Sequence, residues 1–414
     1  MRIRPCILYH IRAVCFGLKD SPPHQTTPAH NRIHSHTVLT LILILGISAF
    51  ILATGATAIV LRLSNRLGAL DSPPIPGQVK AETRPIPNTG GLGIAFAILT
   101  PMIVGLIIIS LHAAGAVDLT TLVPDAVADH LPGMVDSLAL GWGLVIATLG
   151  LHILGLIDDR RPLGPGIKLA AMIGIATLLA ILTNTRLLEL LDARVGGSWL
   201  SVIITVLWFV TITNAFNFID NMDGLAAGVA AIAAACLLAT SLLAGQLFVP
   251  IVLVLVVGAT LGFLVFNFPP ARIFMGDGGS LTIGFLLAFA TVRVTYLPPS
   301  GGDTLALAPH AVFTPLIILA IPLYDLVSVV FIRLRQGRSP FVGDLGHFSH
   351  RLVRRGLSKR NAVLVIYGCT LITALGGVAM PTLKPWQATL VFAQTLAALC
   401  VLALLERSSP ERSS

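Results

Sequence analysis

Charge is scarce in this sequence. Only 11% of its 414 residues are Asp, Glu, Lys or Arg, against 55% apolar, whereas roughly a quarter of an ordinary soluble domain is charged. A soluble globular protein is therefore excluded. Nucleic acid is excluded as a partner too, because the net charge of +8 is spread over short loops and chain ends, where it orients a membrane protein rather than forming a binding stripe. Cysteine is scarce as well: Cys236, Cys369 and Cys400 lie in apolar runs, Cys6 and Cys15 near the start, and no CxxC occurs. Neither a disulfide framework nor a zinc site follows from that pattern. A paired repeat of broken helices, the signature of many transporters, is missing too.

What is present is long apolar stretches. Eleven of them, at 38–60, 91–113, 137–157, 167–183, 198–214, 225–243, 247–266, 280–297, 311–332, 361–380 and 386–405, approach the ~20 residues a helix needs to cross ~30 Å of hydrocarbon. Backbone groups in lipid must be satisfied within each segment, so the expected fold is an all-α polytopic membrane protein of about 11 transmembrane helices. Three segments are expected: an N-terminal extension over 1–37, the membrane domain over 38–405, and a tail over 406–414. The extension has five His and five Lys or Arg but no apolar core, so it reads as a disordered stretch or an over-long start, not a signal peptide.

The loops separate into two sets. One comprises 61–90, 158–166, 215–224, 267–279 and 333–360, the last with eight Lys or Arg; the other includes 114–136, which has four Asp and no Lys or Arg. The bias toward Lys and Arg assigns the first set to the cytoplasm. Nearly every unusual polar residue belongs to that set, which predicts a site at the inner membrane surface that meets soluble substrates.

Five stretches of that set bear chemistry. The first, KAETRPIPNTGG over 80–91, is a basic turn entering a span. The second, GLIDDRRPLGPGIK over 155–168, sets Asp158 beside Asp159, a pair suited to base or metal chemistry unless Arg160 and Arg161 merely neutralise it. In the third, TNAFNFIDNMDG over 213–224, a helical turn would turn Asp220 and Asp223 the same way, with Asn217 on the same face; helix capping is the plainer alternative and explains one acid, not the set. The fourth, NFPPARIFMGDGGS over 267–280, contains Arg272 and flanks Asp277 with glycines just before a helix, where an anion or metal is approached closely, or where Asp277 simply caps. The fifth runs from Gly337 to Ser358; its His347, His350 and Arg351 suit diphosphate recognition, or lipid head groups. Asp325, inside the 311–332 run, either faces the site or pairs with an arginine such as Arg333. His112, His152 and His310 read as satisfied or interfacial residues.

In order and on one side, these stretches resemble the polyprenyl-phosphate N-acetylhexosamine-1-phosphate transferases, glycosyltransferase family 4, over about Asp71 to Ser358. The eleven-span layout looks like the N-acetylglucosamine branch, which initiates bacterial cell-envelope polysaccharides such as O-antigen and teichoic acid. The resemblance implies transfer of a sugar-1-phosphate from a UDP-sugar to undecaprenyl phosphate, release of UMP, Mg²⁺ or Mn²⁺ as cofactor, and a location in the inner membrane. It implies catalysis at Asp158 or Asp159, a magnesium ligand at Asp277, and substrate contacts from Lys168, Asn217, Asp220, Asp223, His347 and His350. The basic character of Lys80, Arg272 and Arg351 adds them to the expected substrate-binding set. The sequence departs from the family pattern at Glu82 and Ser349, where His is usual, and at Asn221, often Gly; these bear on which amino sugar is read. Oxygen ligands independently favour Mg²⁺ for two anionic substrates. Direct attack by the lipid phosphate and a two-step aspartyl-phosphate route both stay open, as does a homodimer. From another class, a multispan transporter or lipid-binding scaffold is the rival.

Overall fold

A computed structural model describes residues 28–68, 86–294, 309–339 and 346–407. Among them every regular element is helical. The long helices are α1 (Pro28–Leu67), α2 (Gly91–Ala113), α3 (Leu138–Arg160), α4 (Pro165–Leu182), α5 (Trp199–Ile219), α6 (Leu225–Leu243), α7 (Phe248–Asn267) and α8 (Gly276–Arg293). Then come α9 (Thr314–Ile318), α10 (Ala320–Arg335), the short α11 (Phe348–Arg354), α12 (Lys359–Ala379) and α13 (Pro385–Arg407).

The described parts of all eleven predicted apolar runs fall on helices, residues 295–297 of one run lying outside them, but fewer helices qualify as spans. Nine of the described helices are long and apolar enough to cross a membrane, and α9 with α10 makes a tenth only if the pair, bent by 69°, is one span. The remaining run lies on α8, whose 18 residues open with Gly276-Asp-Gly-Gly-Ser and so dilute its apolar length. Among the described residues nine helices, or ten with the bent pair, meet that measure, against the eleven spans expected. Helix α1 begins at Pro28, inside the stretch set apart as an extension; residues 1–27 lie outside the described part.

Helix α8 is the centre of the bundle. It packs against α2, α3, α5, α6 and α7, and all its residues from Gly278 to Thr291 are buried, whereas α1, α4 and α13 leave broad apolar faces exposed. Interiors of membrane bundles are held by close approach of small residues rather than by expulsion of water. Here a Cβ on Gly91 would meet the Gly279 backbone at 2.3 Å, and one on Gly155 the Gly278 nitrogen at 2.4 Å. Helices α2 and α3 therefore touch the first turn of α8 backbone to backbone. The segment before α8 is laced to the entry of α2: Phe274 N–H donates to the Pro87 carbonyl (2.8 Å), Gly90 to Phe274 (2.9 Å) and Gly91 to Met275 (2.8 Å).

Candidate active site

The end of the bundle where α3, α5 and α7 finish and α2, α4, α6 and α8 begin collects the polar residues. Asp159, on the last turn of α3, points both oxygens at α8. Its Oδ1 accepts the Asp277 N–H (2.9 Å) and the Asn88 side-chain amide (3.1 Å), and its Oδ2 accepts the Gly278 N–H (3.2 Å). The first turn of a helix leaves N–H groups without partners and carries a partial positive charge; a carboxylate from a neighbouring helix answers both. Gly276, with φ of +70°, turns the chain beneath it, and a Cβ there would lie 2.6 Å from Asp159 Oδ2.

Because Asp159 does the capping, Asp277 does not. Its carboxylate turns inward, accepts from Asn217 Nδ2 (2.8 Å) and pairs with the Lys168 ammonium. Lys168 also reaches Asp158 Oδ2 (3.2 Å) and Asn217 Oδ1 (3.3 Å), while Asn217 donates in addition to Ser280 Oγ (3.0 Å). Asp158 is further fixed by the Leu163 N–H (2.8 Å) across the turn into α4. Its charge partner is thus Lys168, not Arg160 or Arg161. One ammonium joins three helices through two carboxylates and an amide.

The Asp220–Asp223 stretch departs from the expected helical turn. Helix α5 stops at Ile219, Asp220 takes ψ of 50°, and Gly224 with φ of +74° reverses the chain into α6, so only Asn217 stays on the helix. The helix cannot continue, because α5 and α6 must run antiparallel within five residues. Neither acid caps α6, whose first position lacks a side-chain cap. Asp223 instead accepts the Ala271 N–H (3.0 Å), and buried Asn267 ties the same turn to the next loop by accepting from Gly224 N–H (2.9 Å) and donating to the Ile273 carbonyl (2.8 Å). Burial first, and then the negative charges of Asp277, Asp159 and Asp223, hold the Asp220 carboxyl well above the usual range.

Helix α11 closes the site from the side. His347 stacks edge-on against Phe218 (5.9 Å), the neighbour of Asn217, and stands 6.5 Å from His350. Burial, with the nearby His347 and Arg354, pushes His350 down to about 4. Ser349, fully buried, donates to Asn221 Oδ1 at 2.5 Å. Two of the three positions that depart from the family pattern are therefore bonded to each other. Arg351 bonds the Gly346 carbonyl and Ser328 Oγ (3.3 Å), within its own corner. Arg272 is exposed, lying over the Phe266 ring (4.8 Å) and donating to the Val265 carbonyl (3.1 Å). Lys80 and Glu82 lie outside the described residues.

Asp158, Asp159, Lys168, Asn217 and Asp277 are thus one connected cluster; Asp220, Asp223, His347 and His350 border it, and Arg272 and Arg351 stand apart from it. Sequence reasoning passed over Asn88, Ser280 and Asn267, for which the only signal was a polar residue next to a motif acid. Asp325, expected either to face the site or to pair with an arginine such as Arg333, bonds His347. Among the described residues no three His, Cys, Asp or Glu form a metal cage. Mg²⁺ does not require one, since it commonly takes one or two carboxylates and completes its shell with water and substrate phosphates. Two carboxylates already sharing one cation, beside three further acids, fit that donor set.

Residues 141–295, from α3 through α8 and so across the whole cluster, match the family model for glycosyl transferase family 4. The chain is similar to a decaprenyl-phosphate N-acetylglucosaminephosphotransferase of Mycobacterium tuberculosis (strain CDC 1551 / Oshkosh), at 33% identity over 83% of this chain and 83% of that protein. It is similar to a probable undecaprenyl-phosphate N-acetylglucosaminyl 1-phosphate transferase of Bacillus subtilis, at 28% over 80% and 82%, and to an undecaprenyl-phosphate alpha-N-acetylglucosaminyl 1-phosphate transferase of Escherichia coli O157:H7, at 30% over 60% and 68%. The chain belongs to glycosyl transferase family 4, the polyprenyl-phosphate N-acetylhexosamine-1-phosphate transferases that its motifs resemble.

Proposed function

We propose that this protein transfers N-acetylglucosamine-1-phosphate from UDP-N-acetylglucosamine to undecaprenyl phosphate and releases UMP, at the cytoplasmic face of the inner membrane. The observation that carries the reading is the Lys168 ammonium lodged between Asp158 and Asp277, an acid-rich, cation-bridged pocket at the helix ends. The relatives' names agree on the sugar, and the basic loops favour that face as cytoplasmic. In this reading α8, ~27 Å long at 1.5 Å per residue, crosses inside the bundle and, with the bent pair, restores eleven crossings.

Asp277, with Asp158, would hold Mg²⁺, which would supply the positive charge that lets two anionic substrates approach. A lipid-phosphate oxygen attacks the sugar-bearing phosphorus; that P–O bond forms as the bond to the bridging oxygen of UMP breaks. Asp158 takes the orienting or base role: both oxygens of Asp159 accept backbone N–H groups of α8, whereas Oδ2 of Asp158 meets a side chain, the Lys168 ammonium. Lys168 and Asn217 fix Asp277, and Asp220 and Asp223 position the nucleotide and diphosphate. His347 and His350 receive the donor from the side, and Arg272 and Arg351 add basic charge near it, with Lys80 expected to contribute from outside the described residues.

The test is UMP release from UDP-N-acetylglucosamine by purified enzyme in proteoliposomes, with undecaprenyl phosphate and Mg²⁺ added or withheld. Release should need both, and Asp158→Asn should abolish it in folded protein. No release from any UDP-amino sugar would defeat the reading. A different UDP-amino sugar is the second reading, favoured by the Ser349–Asn221 contact where the family pattern changes; a donor screen separates the two.

A further inference from the structure

Asp325 lies on α10 with no exposed surface, and both its oxygens are occupied by α11. Oδ2 is 2.8 Å from His347 Nδ1, and Oδ1 accepts the Phe348 N–H at 3.3 Å. Isolating a carboxylate from water costs several kcal/mol, far more than capping a seven-residue helix requires. A serine or asparagine would supply the single acceptor that the Phe348 N–H needs. The second oxygen, on the imidazole, is what capping leaves unexplained.

An ionised carboxylate can only accept, so the bond places a proton on Nδ1 and leaves Nε2 as the nitrogen free of protein. His347 is 6% exposed and rests edge-on against Phe218, whose other neighbour is the Arg333 guanidinium (5.5 Å). Tyr324, next to Asp325, packs edge-on against Phe348 (5.9 Å) and holds the start of α11 in place. The imidazole is thereby clamped in one orientation against Phe218. A ring nitrogen whose partner fixes the other nitrogen is the arrangement by which imidazoles are made ready for metals and substrates.

We propose that Asp325 is a positioning residue that holds His347 with Nδ1 turned to α10 and Nε2 presented to the phosphates of the sugar-nucleotide donor. This rests on the transferase reading above.

Two measurements test it. In histidine-labelled enzyme in micelles, with the His347 signal assigned by its loss in His347→Gln, the ¹⁵N spectrum should show a protonated Nδ1; a bare, pyridine-type Nδ1 would overturn the proposal whatever the variants do. In the UMP-release assay, Asp325→Asn and His347→Gln should each lower kcat/KM about 100-fold, the lower end of what a placed proton-bearing group contributes. The double variant should fall no further than the weaker single, because both remove one interaction. Multiplied losses, or Asp325→Asn within threefold of wild type, would make Asp325 a mere cap. If the wild-type chain releases no UMP, the transferase reading fails, and the ¹⁵N result still decides the Asp325–His347 pairing.

Discussion

Gly155→Ala is the sharpest test of how the site is built. Gly155 is one helical turn before Asp158 and Asp159, on the side of α3 that meets α8. An added Cβ would sit 2.4 Å from the Gly278 nitrogen and 2.5 Å from the Asp277 carbonyl carbon and oxygen. All three are backbone atoms, so none can rotate away. Restoring ordinary contact at about 3.4 Å requires α3 to retreat from α8 by about 1 Å. The Asp159 bonds to Asp277 N–H and Gly278 N–H, now 2.9 and 3.2 Å, would lengthen to roughly 4 Å, beyond hydrogen-bonding range. Bonds to charged groups contribute about 1.5–3 kcal/mol each. A misplacement of about 1 Å costs on the order of 100-fold in rate, so Gly155→Ala should release UMP about 100-fold more slowly and unfold at lower temperature. Gly150→Ala on the same helix is the control, since its Cβ would meet only the tip of Ile175 at 3.4 Å. The assay is UMP release in proteoliposomes beside thermal unfolding in detergent. A folded Gly155→Ala enzyme within threefold of both wild type and Gly150→Ala would refute the reasoning.

Two predictions concern pH. His350 titrates near 4 in the fold and near 6.5 unfolded, so the unfolded chain takes the proton first; stability should fall as pH drops from about 6.5 to about 4, and thermal midpoints of His350→Gln should lose much of that slope. The Asp220 carboxyl is raised, so its contribution is complete below about pH 4 and is lost as pH rises through the folded value. Asp220→Asn, which mimics the protonated form, should match wild type near pH 4 in metal-free buffer and exceed it increasingly above; an Asn midpoint below wild type throughout would contradict the electrostatic account.

Much of this was readable beforehand. Apolar runs of membrane length located the helices, because periodicity matters little where lipid surrounds every face. Asp158, Asp159, Asn217 and Asp277 stood out because a charge among apolar residues needs a reason. The bend between α9 and α10 was not legible, because it depends on what packs around a segment rather than on its hydropathy. Individual roles were equally hidden: adjacent acids on a helix end look alike, yet Asp158 meets an ammonium and Asp159 meets a helix N-terminus.

The sequence by itself determined the solvent of this protein, the side on which its polar residues gather and the family to which it belongs, since these rest on composition, order and motif. Tertiary structure alone decided the partners. Lys168 reaches Asp277 across 109 positions of chain and Asp159 caps a helix 118 positions away. His347 finds Asp325 because α10 and α11 fold back on each other. Hydrogen bonds and ion pairs act over about 3 Å of space, and distance along the chain carries no information at that scale until the helices have packed.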